Sequence, residues 1–423
     1  MSRASAMAAP LVRPDVNRSY GAAHAALVQW FTDEAFHITS PWRLVLEACR
    51  QFVAAGVPLQ QFSAFVYMLH PNFFGVAHRW DRATGKVKST LGRLDILASD
   101  AFKRSPVHVI YGGAAAIRRR FEWPGFEPDF AVLKDYIDAG ATDYVMMALE
   151  FTDGARHCVS MTTDRPGGFT NDELRLIDGL VPYMARLTEI QSNRYLARTL
   201  LDTYVGPDAG EAILTGNIRR GSAETIHAVI WMCDLRDFTR FSETLPRDEL
   251  IGLLNAYFQC VGTPIRERGG EILKFIGDAM LAIFRVASPE AAAEDCRKAA
   301  EAVSDARLQL EELNTRRVAA GNPALRCGIA LHIGDVSYGN IGTADRLDFT
   351  VIGPAVNLAA RLTSLCGEIG ETAVLSAAVA RASQLHVESL GRHTLKGIAG
   401  AQEVFRLLGP PAILGAAPEF DPS

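Results

Sequence analysis

Two aspartates, a lysine, an asparagine, an arginine and a threonine in the second half of this chain have side chains suited to phosphate chemistry. Asp234 ends the apolar run "VIWMCD", and Asp278 sits in the turn of "EILKFIGDAMLAIF", Glu271 to Phe284. Alone, each reads as a turn or cap residue. A strand and a hairpin of one sheet can lie side by side, however, so the two carboxylates can converge. Close carboxylates repel unless a cation sits between them. Oxygen-only ligands from two carboxylates suit Mg²⁺ or Mn²⁺ held together with substrate phosphates, the two-metal arrangement for in-line attack at phosphorus. Lys274 is a charge in a run that reads as a buried strand, and an unpaired buried charge costs several kcal/mol, so it needs solvent or a partner. "VNLAAR" puts Asn357 and Arg361 four apart on one helix face. That spacing fits a solvated face, or a hydrogen-bond donor and a guanidinium aimed at a phosphoryl transition state. Thr350 precedes them at the end of "LDFT". The loop "LRDFTRFSETLPRDEL" after Asp234 runs into a helix, whose first backbone N–H groups can cradle phosphate. It lacks the Gly-rich pattern of a P-loop.

The elements that must position these groups follow from periodicity. "IHAVIWMCDL" is an apolar strand. "PRDELIGLLNAYFQCVGTPIRERGG" is a helix with Leu250, Leu253, Leu254, Tyr257, Phe258 and Val261 on one stripe. The hairpin comes next, then a helix over about 289–320, the strands "LRCGIALHIGDV" and "LDFTVIG", the helix "PAVNLAARLTSLC" and a β-rich end. Strand, helix, hairpin, helix, strand is an α+β sandwich, one sheet with helices packed on it. Upstream, residues 22–190 form a mixed α/β region with strands "FSAFVYMLH", "YVMMALEF" and "HCVSMTTD". A long helix then opens on a capping box, Thr170 with Glu173. Residues 191–224 read as a helical linker with a Gly/Pro break at "VGPDAG", or as a helix that simply caps the first region. Residues 1–21 and 409–423 read as loose tails.

With 423 residues, 48% hydrophobic and 22% charged, the chain has the composition of a soluble globular protein of two or three domains. A net charge of -5 gives no electrostatic footprint for nucleic acid. No apolar run approaches a membrane span, and the N-terminus lacks a signal-peptide core, so a cytoplasmic protein is expected. The cysteines, seven in number, have no two at CxxC spacing and none that pairs with nearby histidines as zinc ligands would, so no disulfide framework or zinc site is expected. Cys233 and Cys327 read as small core residues.

"IWMCDLRDFTRF", "GGEILKFIGDAMLAIF", "GNIGTADRLDFTVIGPAVNLAARL" and "TLKGIAGAQEVFRL" resemble, in order and spacing, the class III adenylyl/guanylyl cyclase catalytic domain, over residues 225–408. The resemblance implies a ferredoxin-like sheet-and-helix fold and a head-to-tail homodimer with sites at its interface. It places Asp234, Leu235 and Asp278 at two metals, Mg²⁺ or Mn²⁺, and Phe238 and Thr239 with the substrate. Lys274 and Thr350 match the pair that reads the purine. Asn357 and Arg361 match the transition-state residues, and Lys396 the phosphate-binding lysine. The implied reaction is two-metal-assisted attack of the ribose 3′-OH on the α-phosphate. A lysine has donors only, so it suits adenine N1 and opposes the N1–H of guanine, which points to ATP and cyclic AMP. Lys with Thr resembles a bacterial and soluble subgroup that includes bicarbonate-responsive members. Pro354-Ala355 stands where many members carry a polar pair, and proline fits a first helical turn. A cyclase for GTP or another nucleotide, and a non-catalytic nucleotide-binding dimer, are the alternatives.

"GATDYVMMALEFTDGARHCVSMTTDRPGGFTNDEL" resembles the GAF-type sensor fold. That resemblance implies a module that senses a small molecule or protein partner and passes the signal along its last helix. Trp30, Phe65, Tyr67, Trp80 and Tyr144 are candidate pocket residues, for which a plain core is the commoner reading. His70, His78, His108 and His157 give no pattern that assigns a cofactor.

Overall fold

The computed structural model describes residues 18–68, 70, 73–383 and 385–408. The tail expected at 409–423, and most of that at 1–21, lies outside the described residues; Arg18–Gly21 belong to a helix. The chain divides into two compact units, Met1–Leu200 and Leu201–Ser423.

The first unit runs α1 (Arg18–Asp33), α2 (Pro41–Ala54), β1 (Gln61–Tyr67), β2 (Phe73–Asp81), β3 (Lys86–Arg93), α3 (Asp100–Lys103), α4 (Pro106–Tyr111), β4 (Ala116–Arg120), α5 (Val132–Asp138), β5 (Asp143–Glu150), β6 (Arg156–Thr163) and α6 (Asn171–Tyr204). Its antiparallel sheet has the order β3-β2-β1-β6-β5-β4. One face, with Val145, Met147 and Leu149 of β5, packs against Phe31, Phe52, Ile177 and Leu180 of α1, α2 and α6. The other, with Tyr144 and Met146, packs against Ile110, Leu133 and Tyr136 of α4 and α5. Covering on both faces explains why β5 reads as one unbroken apolar run. The predicted capping box forms at α6. Thr170 N–H donates to Glu173 Oε2 at 2.8 Å, and Glu173 N–H donates to Thr170 Oγ1 at 3.2 Å. Buried side chains along α6 stop at Gln191, and the helix continues to Tyr204.

The second unit contains α7 (Pro207–Leu214), β7 (Ala223–Leu235), α8 (Phe238–Thr244), α9 (Arg247–Glu267), β8 (Glu271–Ile276), β9 (Ala279–Arg285), α10 (Ala292–Ala319), β10 (Cys327–Gly342), β11 (Leu347–Ile352), α11 (Pro354–Ile369), β12 (Ala373–Ser376), α12 (Ala377–Ala382), β13 (Val387–His393) and β14 (Gln402–Leu407). The sheet order is β13-β14-β12-β10-β7-β9-β8, with β11 paired to β10. Period two sends Val229, Trp231 and Cys233 of β7 toward α9 and α10. It sends Ala228 and Ile230 toward Ala355 and Ala359 of α11. Helices therefore cover both faces. On α9, Leu253, Tyr257 and Val261 are buried as predicted, while Leu250, Leu254 and Phe258 form the half-buried flanks of the stripe. Pro354 opens α11 without breaking it. All seven cysteines are buried and free.

The hairpin needs one correction. Its turn is at Gly277-Asp278 as expected, with Gly277 at φ 65°, the positive φ that two-residue hairpin loops demand. β9 is buried along most of its length, but β8 is buried only at Glu271 and Leu273. β8 is the sheet's edge, and its end is open, with Phe275 55% and Ile276 47% exposed. An edge strand has one neighbour, so apolar character alone does not bury it.

At the start of the same strand, Glu271 is buried and its carboxylate accepts from Tyr338 Oη at 2.9 Å. Arg285 stacks on that tyrosine ring, 4.2 Å from its centroid. Burial pushes the Glu271 carboxyl up to about 7. A carboxyl raised in the fold destabilises it as pH rises from the unfolded value of 4.5, with the full penalty, up to about 3 kcal/mol, above the folded value. Glu271→Gln is therefore expected to melt higher than the parent at pH 8 and level with it near pH 5. Thermal melts at the two pH values check this.

Candidate functional site

β7 and β9 pair in the register Cys233↔Met280. That register brings Asp234, one residue on, level with the turn that holds Asp278. The two interact: burial raises the pKa of the Asp234 carboxyl, Arg236 opposes the rise, and the Asp278 charge adds to it. Asp234 Oδ1 is buried with no hydrogen-bond partner. Arg236 Nη1 stands 3.3 Å from Oδ1, an ion-pair distance without hydrogen-bond geometry. A buried carboxylate oxygen that lacks a donor, facing a second carboxylate, is a group that a hard divalent cation would satisfy. Among the described residues no three His, Cys, Asp or Glu side chains form a metal cluster. Two carboxylates make a partial shell, leaving positions for the Leu235 carbonyl, water and phosphate oxygens.

Lys274 is on β8 and Thr350 on β11, strands that do not pair with each other. Lys274 Nζ lies 3.7 Å from Asp348 Oδ2, and Asp348 and Thr350 share one face of β11 by period two. The lysine is neither dry nor unpaired: a third of its side chain is exposed. Thr350 is buried, and its Oγ1 has no hydrogen-bond partner. An ammonium and an unsatisfied hydroxyl are the donor and acceptor types that the polar edge of a base takes.

Asn357 and Arg361 lie on the exposed side of α11, and Lys396 is exposed in the loop before β14. Phe238 and Thr239 are the first two residues of α8. The backbone reaches them through Asp237, which holds φ 61°, the one positive φ among described non-glycine residues. Its carboxylate accepts from Arg326 Nη2 at 2.7 Å. Aspartate tolerates this left-handed geometry better than most residues.

Two participants were missed from the sequence. Arg236 donates to the Thr363 carbonyl at 2.7 Å while facing Asp234. Its guanidinium fills space left by two glycines: a Cβ at Gly328 would lie 2.0 Å from Nη2, and one at Gly367 3.0 Å from Nη1. Its spacing two residues from Asp234 was a usable signal; the glycines, about a hundred residues downstream, were not. Asp348 was missed because nothing local marks a surface aspartate as a lysine's partner.

In the first unit Trp30, Trp80 and Tyr144 are core, Phe65 is half-buried and Tyr67 is 40% exposed. His78 and His157 are buried, and His108 is exposed. No helix among the described residues is long and apolar enough to cross a membrane.

Residues 222–409 match the family model described as the adenylate and guanylate cyclase catalytic domain. The chain is 35% identical over 167 residues to an adenylate cyclase of Anabaena cylindrica, covering 39% of this chain and 32% of that protein. It is 31% identical over 180 residues to adenylate cyclase 1 of Rhizobium meliloti (strain 1021), covering 42% and 26%. It thus spans a third or less of the length of these curated relatives. A solved structure of a bacterial light-regulated adenylyl cyclase aligns with a TM-score of 0.44 at 28% identity, covering 54% of this chain and 66% of that one.

Proposed function

We propose that this chain, whose residues 222–409 are a class III adenylyl/guanylyl cyclase catalytic domain, converts ATP to 3′,5′-cyclic AMP and pyrophosphate. The observation that carries the reading is the convergence of Asp234 and Asp278 around a buried oxygen that has no hydrogen-bond partner. The two carboxylates, with the Leu235 carbonyl, would hold Mg²⁺ or Mn²⁺, two ions per site. Bound there, the metal would make the ribose 3′-OH a better nucleophile and neutralise the triphosphate. The 3′-oxygen bonds to the α-phosphorus as the bond to the bridging oxygen breaks. Pyrophosphate leaves, and the hydroxyl proton goes to solvent or substrate. Asn357 and Arg361 stabilise charge on the α-phosphoryl group as it develops, and Lys396 and the α8 start with Phe238 and Thr239 hold phosphates. Lys274 donates to adenine N1, and the free Thr350 hydroxyl accepts from the amino group.

The open edge at β8, with Phe275 and Ile276 exposed, and the exposed Ile352 of β11 suit a second copy of the chain. In that dimer one copy supplies the aspartates and the other supplies Lys274, Thr350, Asn357, Arg361 and Lys396. Residues 22–190, as a GAF-type module, regulate the output through the helical linker at 191–224.

The test is a nucleotide-by-metal assay on the purified chain: ATP or GTP with Mg²⁺ or Mn²⁺, read as cyclic nucleotide. Formation of cyclic AMP supports the reading, and nucleotide binding without product supports a non-catalytic dimer. Lys274→Glu with Thr350→Cys is expected to lower the ATP-over-GTP preference by about tenfold to a hundredfold, the cost of one opposed hydrogen-bonding group. An unchanged preference removes the argument from base edges.

A further inference from the structure

The first unit holds a cavity of about 290 Å³, at the lower end of the roughly 300–1,000 Å³ that small-molecule sites occupy. It opens on the sheet face covered by α2 and α6, between those helices and β1, β2 and β3. Its wall is mostly apolar, with Trp42, Val45, Val66 and Leu91 among the lining residues, and contains no Asp, Glu, Lys or Arg. One imidazole lines it. His78 is 7% exposed. Its Nδ1 is 2.7 Å from Ser89 Oγ, and its Nε2 has no partner. Burial lowers its pKa to about 4, so the ring is neutral at physiological pH. A neutral imidazole with one nitrogen bonded to a hydroxyl keeps the other free for a single hydrogen bond. Leaving that nitrogen unpaired carries a desolvation penalty, which an occupant with one polar group would offset.

We propose that this cavity is a binding site for a small, uncharged, mainly apolar organic molecule carrying one hydroxyl or carbonyl, which hydrogen-bonds His78. Nucleotides, free phosphate, carboxylates and bicarbonate are excluded, because no cationic side chain in the wall meets their charge. Thr188, Gln191, Ser192 and Tyr195 of α6 complete the wall. Their spacing of three, four and seven is one helix face, so an occupant touches the same helix that continues to Tyr204. Trp42 is 48%, Leu91 56% and Tyr195 41% exposed, apolar surface at the cavity that an occupant of this kind would cover.

Three probes of one shape test it on the full chain by calorimetric titration: 1-naphthol, naphthalene and 1-naphthoate. The expected order has naphthol tightest, naphthalene about tenfold weaker for want of one hydrogen bond, and the anionic naphthoate weaker still. His78→Phe is expected to reduce naphthol to the naphthalene level, and Leu91→Trp, at an exposed position, to weaken all three. A melting temperature within a few degrees of the parent shows that each variant folds. Equal affinity for the three probes, no binding, or unchanged naphthol binding to folded His78→Phe overturns the proposal. So does a dimer, measured by sedimentation, whose formation excludes naphthol, since the occupant is then a second copy of the chain.

Discussion

Asp278→Ala is expected to cut cyclic-nucleotide formation on the order of a thousandfold, the several kcal/mol of charge stabilisation that a correctly held cation supplies. It is also expected to leave the fold at least as stable when no metal is present. The second half follows from Asp234. Its carboxyl is raised by burial and again by the Asp278 charge. A carboxyl raised in the fold weakens it at pH above the unfolded value. Removing Asp278 relieves part of that penalty, so the metal-free variant should melt at or above the parent. The parent should gain stability from Mn²⁺ with nucleotide, and the variant should gain little. Activity and melting temperature move in opposite directions, which an ordinary destabilising mutation cannot produce. Activity within tenfold of the parent would remove the two aspartates from the chemistry.

Mixing two inactive variants gives the second large effect. Asp278→Ala lacks a metal ligand, and Arg361→Ala lacks the guanidinium. In a two-fold dimer that builds each site from both copies, random pairing makes half of the dimers mixed. Each mixed dimer has one site missing both groups and one site intact. The mixture should therefore recover about a quarter of the parent activity from components that have almost none. Recovery requires that Asp278 and Arg361 serve a site from different copies. No recovery after denaturation and joint refolding would mean that each copy carries its whole site. The exposure of Arg361 and the open β8 edge are the features that favour mixing.

The sequence made visible what depends on local order. Thr170 and Glu173 are three apart, and the capping box forms. Gly277-Asp278 sits between two apolar runs, and the turn forms there. Less was visible where a strand is polar. β3, "KVKSTLGR", is largely exposed, so it carries no clean alternation, and an edge strand does not need one. β2, "FFGVAHRWD", mixes glycine, histidine and arginine because β3 covers only its side. The cavity residue His78 lies in that stretch, which is why its role could not be read ahead. Within the candidate site, Asp234 was marked by its place at the end of the apolar run of β7 and Asp278 by the hairpin turn. Arg236, the cation that Asp234 faces, depended on Gly328 and Gly367, whose positions only the folded sheet and α11 reveal.

The seven thiols bear on how motion in this chain can be followed. Each is buried, and burial raises the pKa of every one above the ordinary thiol value. Thiol reagents attack the thiolate and need access to it, so the native chain is nearly silent toward them. A cysteine introduced at Tyr204, 77% exposed at the end of α6, would accept a spin or fluorescent label with little background. Distances from the end of α6 then become measurable without first stripping out the natural cysteines.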